Sequence, residues 1–204
     1  MIPRRFLIGL PGLFLAAWMA AGQTLPAPLV IVLIGPPASG KSTQAGYLNK
    51  KYKLPIISIE ELVAERMGED AKGQDLHRGD PAISGMLREH LRVSDYRHGF
   101  VLDGYPATRE QAGFLDELVQ EMELPRPIVV QIHVKDQVSH ERSAKRGGPD
   151  DNPEIIAMRL REYHQEMDML RSYYPEADIW TIDGTRPVRG VSATIRLLIE
   201  DRLE

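Results

Sequence analysis

Leu29-Val30-Ile31-Val32-Leu33-Ile34-Gly35-Pro36-Pro37-Ala38-Ser39-Gly40-Lys41-Ser42-Thr43-Gln44 is an apolar run that breaks into a glycine-bounded turn and resumes as a helical pattern. A strand ending in Gly-x-x-x-x-Gly-Lys-Ser and continuing into a helix is the phosphate-binding P-loop in its structural context. The residue types follow from the chemistry. Gly35 and Gly40 let the backbone turn tightly, so that successive N–H groups face phosphate oxygens while the helix opening near Lys41 adds its positive end. Lys41 reaches β- and γ-phosphates, and the Ser42 hydroxyl stands where Mg²⁺ needs an oxygen ligand. The stretch predicts a nucleotide site.

Outward from the loop, strand and helix patterns alternate. Apolar runs predict strands over Leu29 to Gly35, Pro55 to Ile59, Phe100 to Asp103, Pro127 to Val134 and Ile179 to Ile182. Most are continuous rather than alternating, as expected of parallel strands covered on both faces. Helical patterns fall near Lys41 to Lys51, Glu60 to Met67, Ala82 to Leu91, Thr108 to Glu123, Gln137 to Lys145, Asn152 to Tyr173 and Val191 to Leu203. The series predicts a three-layer α/β fold. Asn152-Pro153-Glu154 supplies a capping side chain, a first-turn proline and a first-turn acid to the longest helix.

Composition narrows the partners. The 204 residues suit one α/β domain, and a net charge of −4 without a Lys/Arg block or aromatic stripe argues against a nucleic-acid surface. With no cysteine, disulfides, thiolate zinc sites and a Cys nucleophile are excluded, and the 6 histidines lack ligand spacing. Residues 1–22 differ from the rest. Arg4 and Arg5 precede the apolar stretch Phe6 to Ala21, and small residues follow near Gln23. This is a signal-peptide pattern, shorter than the roughly twenty apolar residues of a spanning helix. The expectation is an exported protein that meets the membrane only through this segment, with a linker over 23–28 and the folded domain over 29–204. Without cleavage, the protein would be membrane-anchored or cytoplasmic.

Gly99-Phe100-Val101-Leu102-Asp103-Gly104-Tyr105-Pro106 is the second chemical landmark. An acid ending a buried strand, in a chain with a P-loop, is placed to hold Mg²⁺ through a water, which makes Asp103 the metal organiser beside Ser42.

The loop from Gly35 to Gln44, the segment Ile57-Ser58-Ile59-Glu60-Glu61-Leu62, the stretch from Gly99 to Gln111, Glu162-Tyr163-His164-Gln165 and Asp183-Gly184-Thr185-Arg186-Pro187-Val188 resemble the adenylate kinase family, in that family's order. The resemblance covers the chain after residue 28. It implies a five-stranded parallel P-loop sheet, a short monophosphate-binding arm (about 60–98) and a short lid (about 142–152). It also implies a monomer that moves the γ-phosphoryl group of Mg·ATP to a nucleoside monophosphate such as AMP. On the donor side it implies Gly35, Pro36, Pro37, Ala38, Ser39, Gly40, Lys41, Ser42 and Thr43 around the phosphates, with Arg186 in the last matching segment. Arg142 and Arg146 match lid arginines, and Arg159 matches the arginine facing the transferring group. Guanidinium forks suit a reaction governed by positioning and charge neutralisation.

The acceptor side departs from the family. Ser58, Gly104 and Gln111 carry over to substrate contacts together with Arg159. The base-contacting Thr is Ile59, however, and the two phosphate-binding arginines are Ala64 and Ala107. A third arginine, before the Asp-Asp pair of the lid, is Gly148. Arg66, Arg78, Arg88 and Arg109 are the nearby substitutes. Two further readings follow from these losses: a nucleotide-binding protein without turnover, and a P-loop kinase for a small molecule that is not a nucleotide.

Overall fold

The computed structural model describes residues 27–67, 79–148 and 151–203. The signal and linker up to residue 26, the middle of the arm with Arg78, and residues 149–150 of the lid lie outside these. Five strands, β1 (Leu29–Ile34), β2 (Ile56–Ser58), β3 (Gly99–Asp103), β4 (Ile128–His133) and β5 (Ile179–Asp183), form one parallel sheet in the order β2-β3-β1-β4-β5. Among the described residues seven α-helices accompany them: α1 (Lys41–Tyr52), α2 (Ile59–Met67), α3 (Pro81–Val93), α4 (Arg109–Glu121), α5 (Asp136–Arg146), α6 (Pro153–Tyr173) and α7 (Val188–Leu203).

The continuous apolar runs are explained by two cores, one on each face. Val30, Val32, Phe100, Leu102 and Val129 pack with Ile83 and Leu87 of α3, Leu115 of α4 and Tyr163, Met167 and Leu170 of α6. Ile31, Leu33, Val101 and Val130 point the other way, onto Ala45 and Leu48 of α1 and Val191, Ile195 and Ile199 of α7. Successive strand residues alternate between these cores, so every position of β1 and β3 is buried.

Local chemistry sets the helix starts. Asn152 caps α6 by accepting from the Ile155 N–H (2.9 Å), and Asp80 caps α3 by accepting from Ala82 N–H (2.8 Å), each with a proline next in the chain. The last helix opens at Val188, three residues before the sequence pattern predicts. The Pro187 carbonyl already accepts from the Gly190 and Val191 N–H groups, and a turn built on a polar Arg-Gly pair carries no apolar periodicity.

Gly99 opens β3 with φ +92°, and a Cβ there would overlap the Leu29 backbone of β1. Gly99→Ala combines a positive-φ penalty with this overlap on the central ladder, so it is expected to destabilise the fold by at least ~2 kcal/mol, read as a lower urea midpoint.

Candidate active site

Strand register assembles the site. β1 lies between β3 and β4 and pairs Leu33 with Asp103 and Ile34 with Gln131, while β2 pairs Ser58 with Asp103. The P-loop, the Asp103 carboxylate and Ser58 therefore leave the sheet at one carboxyl edge, where open parallel sheets bind ligands.

The loop is held from several sides. At Gly35 a Cβ would meet the Ile132 carbonyl of β4 at 2.5 Å and the Ser39 hydroxyl at 2.7 Å, so only glycine lets the chain pass this close to the strand. Lys41 Nζ donates to the Gly35 and Pro36 carbonyls (2.9 and 3.2 Å), folding over the loop it serves. Ser139 of α5 donates its hydroxyl to the Pro37 carbonyl (2.6 Å), and Gln44 Nε2 donates to the Val188 carbonyl (3.1 Å). Ala38 sits at φ +52°, a left-handed conformation costing roughly 1 kcal/mol for a residue with a Cβ.

Ser42 Oγ donates to Asp103 Oδ2 at 2.6 Å, bringing together two oxygen groups 61 residues apart. Asp103 is buried at 8 % exposure. Among the described residues no group of three or more His, Cys, Asp or Glu side chains gathers as a metal cage. A hydroxyl beside one carboxylate suits Mg²⁺, a hard cation that takes one or two protein oxygens and completes its shell with water and phosphate.

The donor-side arginines converge from α5 and α6. Arg142 Nη2 donates to the Gly184 carbonyl after β5 (3.0 Å). Arg146, one turn on, grips Asp151 with Nε to Oδ2 (2.8 Å) and Nη2 to Oδ1 (2.7 Å), and Asp151 Oδ2 also accepts from the Gly148 N–H (2.8 Å). The Arg146 guanidinium, with the Gly148 N–H and the charge of Arg159 adding to it, holds the Asp151 carboxyl down at about 2. Arg186, two residues before α7, donates to Thr194 Oγ1 of that helix (3.2 Å).

The described acceptor-side residues bond to their own neighbours. Ile59 opens α2 and is buried at 3 %. Ser58 accepts from the Glu61 N–H (3.3 Å). Gln111, 2 % exposed, accepts from the Ala107 N–H through Oε1 (2.8 Å) and donates to the Asp80 carbonyl through Nε2 (3.3 Å), bracing the Gly104–Ala107 turn against the start of α3. The three substitute arginines among the described residues are engaged elsewhere. Arg66 pairs with Glu89 (2.5 Å), Arg88 with Glu121 (2.5 Å) and over the Phe114 ring, and Arg109 donates to the Ser172 carbonyl (2.6 Å).

Three residues that the sequence reading passed over belong to the site. Ser139 pins the loop, Asp151 holds Arg146, and Glu166 lines the cleft between the P-loop and α6 together with Lys41. Two of them carried a sequence signal: Asp151 belongs to the Asp-Asp pair of the lid, and Glu166 lies three residues after Tyr163 and one before Met167, at the edge of an otherwise apolar helix face.

The sequence matches known proteins over most of its length. The family profile for adenylate kinase matches residues 33–179. Adenylate kinase 1 of Synechocystis sp. is 33% identical over 181 residues, spanning 83% of this chain and 96% of that protein. The adenylate kinase of Corynebacterium urealyticum is 35% identical over 171 residues (79% and 94%), and that of Brucella ovis 33% identical over 191 residues (83% and 97%).

A carboxyl held below its unfolded value stabilises the fold above that value, near 4, and the contribution is lost as pH falls through about 2. Asp151→Asn is therefore expected to lower the thermal midpoint at pH 7 and to flatten its decline between pH 4 and 2, followed by circular dichroism.

Proposed function

Because the chain belongs to the adenylate kinase family and is an ATP-dependent phosphotransferase, we propose that it acts as a monomeric nucleoside monophosphate kinase whose donor half works with Mg·ATP and whose acceptor half binds AMP or a related monophosphate weakly. The observation that carries the reading is the Ser42–Asp103 contact at 2.6 Å beside the P-loop lysine. Ser42 and Asp103 would hold Mg²⁺, which when bound neutralises charge on the β- and γ-phosphates.

The chain's own groups do the rest. Loop N–H groups and Lys41 orient the triphosphate. Arg142, Arg146 and Arg159 stabilise charge spreading over the equatorial oxygens of the transferring group. In this role Arg146 gives up Asp151 for phosphate oxygens, so the guanidinium stays paired while the buried Asp151 carboxylate keeps the Gly148 N–H and gives up its main partner. On the acceptor side, Ala64 and Ala107 offer no cation, and each missing charge-assisted contact is worth roughly 1.5 to 3 kcal/mol, so acceptor affinity falls by about a hundredfold or more.

Phosphoryl transfer from Mg·ATP to AMP, CMP, UMP, GMP and dAMP tests this. Turnover with at least one acceptor is expected, and Lys41→Ala should abolish it; ATP binding without transfer to any of the five would sink the reading. Restoring a guanidinium with Ala64→Arg, on the partly exposed face of α2, is expected to lower KM for the preferred acceptor by about tenfold or more.

We also propose export. The support is the Arg4-Arg5 pair followed by the short apolar stretch. The mature protein from fractionated cells should lack residues 1–22 by mass; an intact N-terminus would count against export.

A further inference from the structure

The cleft between the P-loop and α6 is lined by Gly35, Lys41, Gly104, Pro106, Tyr163 and Glu166, among others. Glu166 is the only carboxylate lining it among the described residues. The helix phase fixes its direction: Tyr163, Met167 and Leu170 are buried against the sheet, and Glu166, partly buried, shares their face.

A carboxylate beside the phosphate-binding lysine does opposite things to two kinds of acceptor. It repels a phosphate dianion, which needs cations that this chain lacks at Ala64 and Ala107. A hydroxyl acceptor is neutral and must lose a proton as its oxygen bonds to phosphorus, which a neighbouring carboxylate assists. The smallest such acceptor is water. Kinases guard against it by covering the γ-phosphate. Here α5 ends at Arg146 and α6 begins at Pro153, so the connection between them, 147–152, is only six residues long.

We propose that the site has a second activity, hydrolysis of ATP, with Glu166 as the general base. The water oxygen forms a bond to the γ-phosphorus, and the bond from that phosphorus to the bridging oxygen of ADP breaks, its electron pair leaving with ADP. One water proton passes to the Glu166 carboxylate and then to solvent. The products are ADP, inorganic phosphate and a proton. The inference rests on the donor half of the proposed kinase site and not on its acceptor half.

The test is inorganic phosphate release from Mg·ATP by the full chain without any monophosphate, for the wild type, Glu166→Gln and Lys41→Ala, with transfer to AMP measured on the same proteins. Wild-type release is expected above the Lys41→Ala level. Glu166→Gln should lower it at least ~100-fold, in the range of lost general-base catalysis. The same variant should raise kcat/KM for AMP several-fold, because a repelling charge is gone. A merely structural role would lower both rates in a folded variant, and that outcome overturns the proposal. So does release that equals the Lys41→Ala level, or release that Glu166→Gln leaves intact. Should Glu166→Gln fail to fold, Glu166→Asp takes its place: phosphate release between the wild-type and Lys41→Ala levels supports the base, and release at or above the wild-type level overturns it. Hydrolysis that depends on Glu166 in a chain that transfers nothing to any monophosphate would sink the kinase reading alone; transfer to AMP without hydrolysis would sink this one alone.

Discussion

The pairing of β1 with β3 is the constraint on which the rest of the molecule depends. Opposite Leu33, the last-but-one residue of β1, stands Asp103, the last of β3. One strand then delivers the phosphate loop and the other the carboxylate that meets Ser42. Both faces of this pair are buried in separate cores, so a slip of one residue would exchange the contents of the cores and turn Asp103 away from the loop. Register, and with it the site, is fixed by apolar packing far more than by any polar contact within the site.

Given that frame, the donor half is tied down from unrelated parts of the chain. Ser139 holds Pro37 from α5, Gln44 ties α1 to the start of α7, and Arg142 reaches the turn after β5. Each such bond contributes a net stabilisation of roughly 0.5 to 1.5 kcal/mol. Together they exceed the strain of Ala38, which is how a left-handed alanine persists in the loop. A loop held this way presents its amides already oriented, and catalysis by charge stabilisation depends on that preorganisation.

The strands and the P-loop were legible in the sequence because both are local patterns: an unbroken apolar run has one cheap solution in an α/β protein, and the glycine spacing has one use next to a strand. Asp103 was legible through its place at a strand end. The partners of long polar side chains were not. Arg109 reaches Ser172 and Arg88 reaches Glu121 across α4 and its neighbours, contacts set by how helices rotate against one another, which periodicity does not specify across 30 or more residues. Gln111 shows the same limit. Its place in a matching segment pointed to substrate, but nothing local in the sequence pointed to its bonds with the Ala107 N–H and the Asp80 carbonyl.

The two halves of the cleft have diverged unequally, and the asymmetry has a kinetic meaning. Groups that touch an acceptor phosphate equally in the ground and transition states contribute uniform binding; losing them raises KM and leaves kcat nearly intact. Groups on the transferring phosphoryl, where charge redistributes as the bond breaks, act on kcat. In the proposed kinase, Ala64 and Ala107 stand at positions of the first kind, and Lys41, Arg142, Arg146 and Arg159 at positions of the second. Ala64 and Ala107 thus weaken affinity for the acceptor in the proposed kinase, whereas Gly148 removes an arginine from the lid. Such a site spends more of its time with ATP bound and no acceptor beside it, and the composition of the cleft wall near Lys41 then decides what becomes of the γ-phosphoryl group in the interval.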